Sequence, residues 1–258
     1  MPQASSLVGA LVSFSCFALT CCKPKEELNY EAVLSLPPDD RTSSLAPIVE
    51  ELTARAELLG LPASVQAAKS SARVIELQLY GTDRDDALAR LERLCVSGTI
   101  SIRAIHDRSA YITDIASKDP SRLPSDHQIL LYDAQGKEGP KRQKLAVSRA
   151  EILNNSHVKS ALATRDGDNM VHISLTSSGL SRIRSATEKM QKGRSRLAII
   201  YDERIISAPV VAEELWTPVT LEGFNSFEHA ESLATSLNKP LSSNLLIESL
   251  IPLAPLAK

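Results

Sequence analysis

The amino-acid sequence predicts an α+β fold built from two parts. Segments with the twofold alternation of strands and segments with the helical period follow one another, and many of the strands come in consecutive pairs. Consecutive strands joined by short turns favour antiparallel pairing, and the helices between them then lie against one face of the sheet. With 43% hydrophobic residues among 258, the chain can bury a sizeable core.

The first part, residues 44–106, has the element order of a ferredoxin-like sandwich. A short strand within residues 30–36 precedes this part. Counted from that strand, the order of elements is strand, helix, strand, strand, helix, strand. Gly60 stands where a helix C-terminal cap belongs, and Asp83 stands where an N-cap belongs. The predicted helices span 44–59 and 83–96, and the predicted strands span 63–68, 73–79 and 100–105. Residues 226–251 are expected to supply the closing part of this base.

The second part, residues 107–225, is predicted to be an α+β head subdomain inserted into the base. Residues 107–146 are predicted as loops with one strand at 128–132, and the basic run from Lys141 to Lys144 as a solvated turn. Beyond residue 150 the strand and helix periodicities of the sequence are clearer. Strands are predicted at 158–164, 169–175, 197–201, 205–208, 210–212, 219–221 and 245–251, with helices from Thr176 or Ser177 to about 191 and from Ser226.

The first 22 residues carry no charged side chain, and the chain turns polar at Lys23. The apolar run is short for a bilayer span and is typical of the hydrophobic region of a signal peptide. It ends in Leu19-Thr20-Cys21-Cys22, which resembles a bacterial lipobox. We therefore predict a signal peptide over residues 1–22 and lipid attachment at Cys22, followed by a polar tether over 23–43. Cys21 as the lipid site, or an uncleaved N-terminal anchor, are the alternatives.

No residue pattern of an active site, a cofactor site or a metal site is found in the sequence. It contains no P-loop, no G-x-S-x-G elbow and no G-x-G-x-x-G, and its five histidines show no short metal-ligand spacing. Cys95 shares a helix face with Leu88 and Leu91, so we predict a small buried hydrophobe there. Asp85-Asp86 is predicted to cap a helix, and His172 to be a structural or surface residue. We thus expect no enzyme, no catalytic residue, no cofactor and no metal.

A nucleic-acid partner is also not expected. The formal net charge is −2 and only 4% of the residues are aromatic. Binding to a phosphate backbone needs a basic field, and single-stranded nucleic acids need exposed rings on which bases stack.

A series of motifs in the second half has a recognisable order. It comprises Val171-His172-Ile173-Ser174-Leu175-Thr176, then Arg196-Leu197-Ala198-Ile199-Ile200-Tyr201-Asp202, then Ile205-Ile206-Ser207-Ala208-Pro209-Val210-Val211, and finally Leu221-Glu222-Gly223 with Ser226, Glu228 and Ala230. This series resembles the head subdomain of the SecD protein-export subunit. Arg55 with Leu58-Leu59-Gly60 resembles a motif of the SecD base. Two departures are Tyr80 in place of a proline before Gly81, and Glu203 in place of the turn glycine after Asp202.

The resemblance implies a stand-alone, lipoprotein-like version of the first periplasmic domain of SecD. Its implied function is to bind or guide unfolded or extended polypeptide as an accessory to protein translocation, with translocase components as further candidate partners. Its implied location is the bacterial cell envelope, on the periplasmic face of a membrane that it contacts through its lipid. Because SecD continues into proton-coupling transmembrane helices, we expect no proton-driven transport by this chain. A structural or assembly envelope lipoprotein that reuses the fold is the alternative, since a fold does not fix a function.

Overall fold

The computed structural model describes residues 27–254, apart from 43, 137–138, 166–168, 213–218, 223 and 225. The predicted signal peptide, the lipobox with Cys22 and the first residues of the tether lie outside the described residues. Within the described ranges, no helix combines the length and the apolar character needed to cross a bilayer.

The elements alternate between helix and strand as an α+β fold requires. The strands are β1 (Tyr30–Ser35), β2 (Ala63–Ala67), β3 (Val74–Leu79), β4 (Ile100–Ile105), β5 (His127–Gly136), β6 (Gly139–Asn154), β7 (Val158–Thr164), β8 (Met170–Leu175), β9 (Arg196–Tyr201), β10 (Arg204–Ser207), β11 (Val219–Leu221) and β12 (Leu246–Pro252). The helices are α1 (Ala46–Leu58), α2 (Arg84–Cys95), α3 (Ser109–Lys118), α4 (Ser177–Glu188) and α5 (Phe227–Asn238). The α+β class is confirmed.

The base is an antiparallel sheet with the strand order β12–β1–β3–β2, as in a ferredoxin-like sandwich. Alternate residues of β1 and β3 are buried against the apolar faces of α1 and α2. The buried set includes Ala32, Leu34, Ile75, Leu77 and Leu79 from the strands and Ile48, Leu52, Leu91 and Leu94 from the helices.

Two assignments to the base are corrected by the structure. Of residues 226–251, only β12 belongs to the base, because α5 packs in the core of the head through Ala230, Leu233, Ala234 and Leu237. Residues 100–105 were expected to complete the βαββαβ order, but β4 lies in the head, and β12 completes the base. The reason is that β12 pairs with β1 from Tyr30↔Pro252 to Ser35↔Leu246, so the position beside β1 is occupied. In addition, β4 is mostly buried on both faces, which suits a strand between two cores and not one on an open sheet.

The head consists of a small barrel and a three-stranded sheet. Strands β10, β5, β6, β4 and β9 form the closed barrel, and the sheet has the order β11–β8–β7. Strands β4 and β9 separate two cores. Ile102 and Ile199 face the three-stranded sheet and α5, whereas Ile105 and Ile200 fill the barrel. Burial on both faces accounts for the nearly continuous apolar run of β9.

Residues 107–146 differ most from the prediction. Helix α3 lies where loops were expected, and it buries Ile112 and Ala116, one turn apart. The basic run from Lys141 to Lys144 is part of the long strand β6 and not of a turn. Pairing with both β5 and β4 holds β6 extended in spite of its charges. The predicted strand at 210–212 is reduced to a single bridge between Arg196 and Val210.

The helix caps read from the sequence are confirmed. The side chains of Asp83, Thr176 and Ser226 accept hydrogen bonds from the first turns of α2, α4 and α5, respectively. Gly60 has a φ of 60°, the left-handed conformation that ends α1.

Candidate functional site

The side chain of Arg55, on α1 of the base, is fully buried where the base meets the head. Its Nε donates to the carbonyl oxygen of Lys239 at 2.7 Å, and its Nη2 donates to that of Ser97 at 3.1 Å. Its Nη1 donates to the carbonyl oxygens of Leu94, at 2.8 Å, and of Val96. Burial lowers the pKa of Arg55, while carbonyl groups at helix C-termini favour a cation. One side chain therefore joins the base to the chain segments that enter and leave the head.

The segment that enters the head passes close to α5. Gly98 has a φ of 75°, and a Cβ atom there would clash with the carbonyl group of Ser236. The next residue, Thr99, donates to the carboxylate of Asp202 from its backbone nitrogen and from its hydroxyl, both at 2.9 Å. This close approach holds the segment that enters the head against α5 and against the turn after β9.

Asp202 and Glu203 form the turn between β9 and β10. Their φ angles of 45° and 65° are both positive, as in the tight turns that join twisted hairpin strands. The glycine of the SecD motif is thus replaced by a glutamate that adopts the left-handed conformation.

Tyr201 and Cys95 lie near the joint between the base and the head, and both are protonated at neutral pH. The hydroxyl of Tyr201 contacts the hydroxyl of Ser236 at 2.6 Å, and burial raises the pKa of Tyr201 to about 12. Cys95 is partly buried against the core of the base, and burial raises the pKa of its thiol to about 12. The nucleophilic thiolate is thereby disfavoured, as expected for a structural cysteine.

An open cavity of about 560 Å³ lies at one mouth of the barrel. Its wall carries Ser101, Arg103, Gln128, Glu151 and Glu203 beside the apolar Leu130 and Ile200. Arg103 Nη2 and Glu151 Oε1 pair at 2.8 Å across β4 and β6, while Arg103 Nε has no partner in the described part of the chain. Such a wall can offer hydrogen bonds to a bound chain. It shows no nucleophile held beside a base, which acyl or phosphoryl transfer would need.

The edges of the sheets differ in how accessible they are. The barrel closes on itself and leaves no long edge. The edge strand β7 is occupied at Ala161, whose backbone N–H and carbonyl both bond to the side-chain amide of Asn238. In the base, the edge strand β12 presents Leu246, Ile247 and Ile251, which are 45%, 37% and 51% exposed. The most apolar accessible edge is therefore β12, in the base, and not an edge of the head.

The titratable residues considered for catalysis lie in different parts of the structure. His172 on β8 contacts Thr220 on β11 at 3.1 Å, and His157 is part of a capping box with Asn154. Asp86 accepts hydrogen bonds from the backbone of Thr82 and from Arg90, and these, the first above all, lower its pKa. Across the described ranges, no three His, Cys, Asp or Glu side chains converge as metal ligands.

Sequence reasoning missed the asparagines that bond to the backbone. Asn29 exchanges hydrogen bonds with both backbone groups of Gly81, as Asn238 does with Ala161, and Asn155 bonds to Gly98 and Ile100. An isolated asparagine has no local signal for such a partner, because the partner is distant in sequence.

Comparison with known proteins agrees with this architecture. Residues 128–240 match the family model described as the P1 head subdomain of SecDF. No curated protein matches the chain significantly.

Two solved structures are similar in fold. One is the crystal structure of SecDF in its super-membrane-facing form, with a TM-score of 0.60 and 20% identity over 86% of this chain and 30% of that one. The other is described as a membrane component SecDF that enhances protein export, with a TM-score of 0.58 and 21% identity over 85% of this chain and 98% of that one. The chain thus spans less than a third of the first of these proteins. Residues 128–240 are thus similar to the SecDF P1 head subdomain, and the protein has the fold of a SecD-type periplasmic domain.

Proposed function

We propose that this protein is a non-enzymatic module of the bacterial cell envelope that binds or guides extended polypeptide as an accessory to protein export. The head similarity supports a link to export, because the similar SecDF structure is described as enhancing protein export. The observation that carries polypeptide binding is the accessible apolar edge of β12.

Addition of a strand to this edge is the mode of binding that the geometry favours. A client segment beside β12 would gain main-chain hydrogen bonds, which do not depend on its sequence, and would cover Leu246 and Ile251. The register of β12 on β1 shifts between Ser249 and Ile247, which leaves a bulge at Glu248. A bent edge is a poor partner for another rigid sheet, whereas a flexible client can follow it. Affinity should be on the order of micromolar or weaker, because ordering the client opposes binding.

The test is a titration of residues 23–258, which include every described element, with an unfolded secretory protein and with the same protein folded. We expect binding to the unfolded form alone. The double variant Leu246→Lys/Ile251→Lys should weaken it, since lysines block edge pairing. The matched control is Leu162→Lys, because Leu162 is 65% exposed on β7, an edge that Asn238 already occupies. Equal binding to both forms, or binding to neither, would reject the proposal and favour the structural envelope lipoprotein.

The membrane attachment belongs to the same proposal. It rests on the uncharged apolar segment that ends at Cys22. An acylated Cys22 with several acyl chains would hold the module at the membrane, since a single chain binds only marginally. Changing Cys22 to Ser should abolish lipid labelling and leave an unprocessed or soluble form, whereas Cys21→Ser should not. Unchanged labelling of the Cys22 variant would contradict this site.

A further inference from the structure

A second open cavity, of about 490 Å³, lies between the first turn of α3 and the start of β9. We call it the basic pocket and define it by Lys144 on β6, Arg194 just before β9, Arg196 at the start of β9, and Ser109 and Thr113 on α3. It lies apart from both the mouth cavity of the barrel and the β12 edge.

The basic pocket carries an excess of positive charge. The ammonium group of Lys144 and the guanidinium group of Arg194 form no hydrogen bond or ion pair with any group that the structure describes. Arg196 Nε donates to the carbonyl oxygen of Ala208 at 3.1 Å, and its two terminal nitrogens remain available. Three basic residues therefore line one cavity in a chain whose formal net charge is −2.

Only one carboxylate offsets these cations among the residues that line the pocket. It belongs to Asp107, whose Oδ1 accepts a hydrogen bond from the hydroxyl of Ser195 at 2.9 Å. His106 also lines the pocket, and its Nδ1 accepts a hydrogen bond from the backbone nitrogen of Arg108 at 3.0 Å. The balance of charge on the wall stays positive.

The start of α3 adds to the positive potential. Among the described residues, no side chain caps this ten-residue helix, and the hydroxyl of Ser109 already accepts a hydrogen bond from the backbone nitrogen of Ala146 at 2.8 Å. Uncapped N–H groups at a helix N-terminus favour a negative charge. Like charges repel unless a counter-charge lies between them, so this arrangement suits an anion.

We propose that the basic pocket binds carboxylate side chains of an acidic segment of the client polypeptide. Arginine binds carboxylates through two parallel hydrogen bonds, so Arg194 and Arg196 can each hold one acidic side chain. Leu131, which is 51% exposed, lies opposite Lys144 in the β5–β6 pairing and offers an apolar contact beside the cations. The concave wall favours a protruding side chain over a bilayer, whose headgroups lie in one plane. This inference rests on the proposed function and names a charge preference that strand addition does not supply.

The experiment compares two labelled unfolded peptides that differ only in having four Glu residues or four Gln residues. They are titrated into residues 23–258, into the pocket variant Lys144→Gln/Arg194→Gln, and into the control variant Lys159→Gln/Lys189→Gln. The control removes the same charge from exposed positions on β7 and after α4. The Glu peptide should bind the unaltered protein about threefold to tenfold more tightly than the Gln peptide, as expected for two partly exposed ion pairs. The preference should be retained by the control and reduced in the pocket variant, which keeps Arg196. It should be lost at 1 M salt, where the Debye length is about 3 Å.

The possible failures are distinct. A preference for the Glu peptide that is undiminished in the pocket variant would overturn the basic pocket while leaving the proposed function intact. Binding of neither peptide to the unaltered protein would reject the proposed function, and this inference with it. Vesicles of phosphatidylglycerol that bind through Lys144 and Arg194, with no discrimination between the peptides, would overturn the polypeptide reading in favour of a lipid headgroup. Equal thermal unfolding of all three proteins checks that the substitutions leave the fold unchanged.

Discussion

The side-chain amide of Asn238 makes the same pair of hydrogen bonds with Ala161 that a neighbouring strand would make. Its Oδ1 accepts from the backbone nitrogen of Ala161 and its Nδ2 donates to the carbonyl oxygen, both at 2.8 Å. Because Asn238 ends α5 and Ala161 lies in the middle of β7, the helix occupies the edge of the sheet at this point. The edge of β7 is thereby protected from pairing with other chains.

Replacing Asn238 with Ala should expose this edge. The backbone groups of Ala161 would lose their partners, at a cost of about 1–3 kcal/mol in unfolding free energy. We also expect concentration-dependent self-association through β7, measured by sedimentation. Asn29→Ala is the matched control, because it removes the same kind of pair, with Gly81, at a strand end. It should lower stability without self-association. A monomeric Asn238→Ala protein would contradict edge protection.

Gly98 should tolerate no side chain. Gly98→Ala combines the left-handed backbone with a clash against Ser236 and close contact with Arg55, whose Nη2 would be 3.1 Å from the new Cβ. We expect a loss of about 3 kcal/mol or more in unfolding free energy, measured with urea. Gly60→Ala is the control, because its φ is also positive but nothing lies within 4 Å of the new Cβ. It should cost about 1 kcal/mol. Equal losses in the two variants would show that the crowding at Gly98 is unimportant.

Arg55 should be needed for the coupling of base and head. Arg55→Met removes the donors of four backbone carbonyls, and we expect a loss of about 3–5 kcal/mol. Arg55→Lys should recover part of it, since one ammonium reaches fewer acceptors. Hydrogen exchange should accelerate around residues 94–98 and 236–240. The control is Arg73→Met, because Arg73 bonds to carbonyls of Asp40 and Leu36 within the base alone. Unchanged exchange in Arg55→Met would contradict the coupling.

Alkaline pH should destabilise the protein partly through Cys95. Burial raises the pKa of its thiol from 9.0 to about 12, so the folded state keeps a proton that the unfolded chain releases. This contribution to stability is present below pH 9 and is lost as pH rises toward 12. Because Cys95 is only partly buried, we expect a loss of about 1 kcal/mol between pH 9 and 10.5. Cys95→Ala should show a smaller fall in stability over this interval. Parallel pH profiles for the two proteins would argue against a buried thiol.

The class of the fold could be predicted from local patterns, but the sheet to which each strand belongs could not. The alternation of β4 is equally consistent with the base and with the barrel, because alternation records which residues are buried and not by which neighbours. The apolar run of β9 does indicate burial on both faces. Strand β6 escaped prediction because its N-terminal half is charged and is held by pairing with β5.

The candidate site could be predicted only in part. The Arg55 and Asp202 motifs were found through family resemblance, and the structure shows that both lie at the joint between base and head. The basic pocket was not found, because Lys144, Arg194 and Ser109 come from three distant segments. Only the fold brings their charges together.

The pairing of β12 with β1 has a consequence for the order in which the chain folds. Ser35 and Glu248, which contact each other across this pair, are 213 positions apart. Nearly all of the head lies between them, so the base sheet cannot close until most of the polypeptide has been synthesised. Long-range pairing of this kind is slow to form, because the entropy of loop closure is lost before the contact is gained. Until then, the edge of β1 that β12 will cover has no partner, and a nascent chain can mispair there. The synthesis of β12 thus sets the time at which the edge of β1 becomes protected.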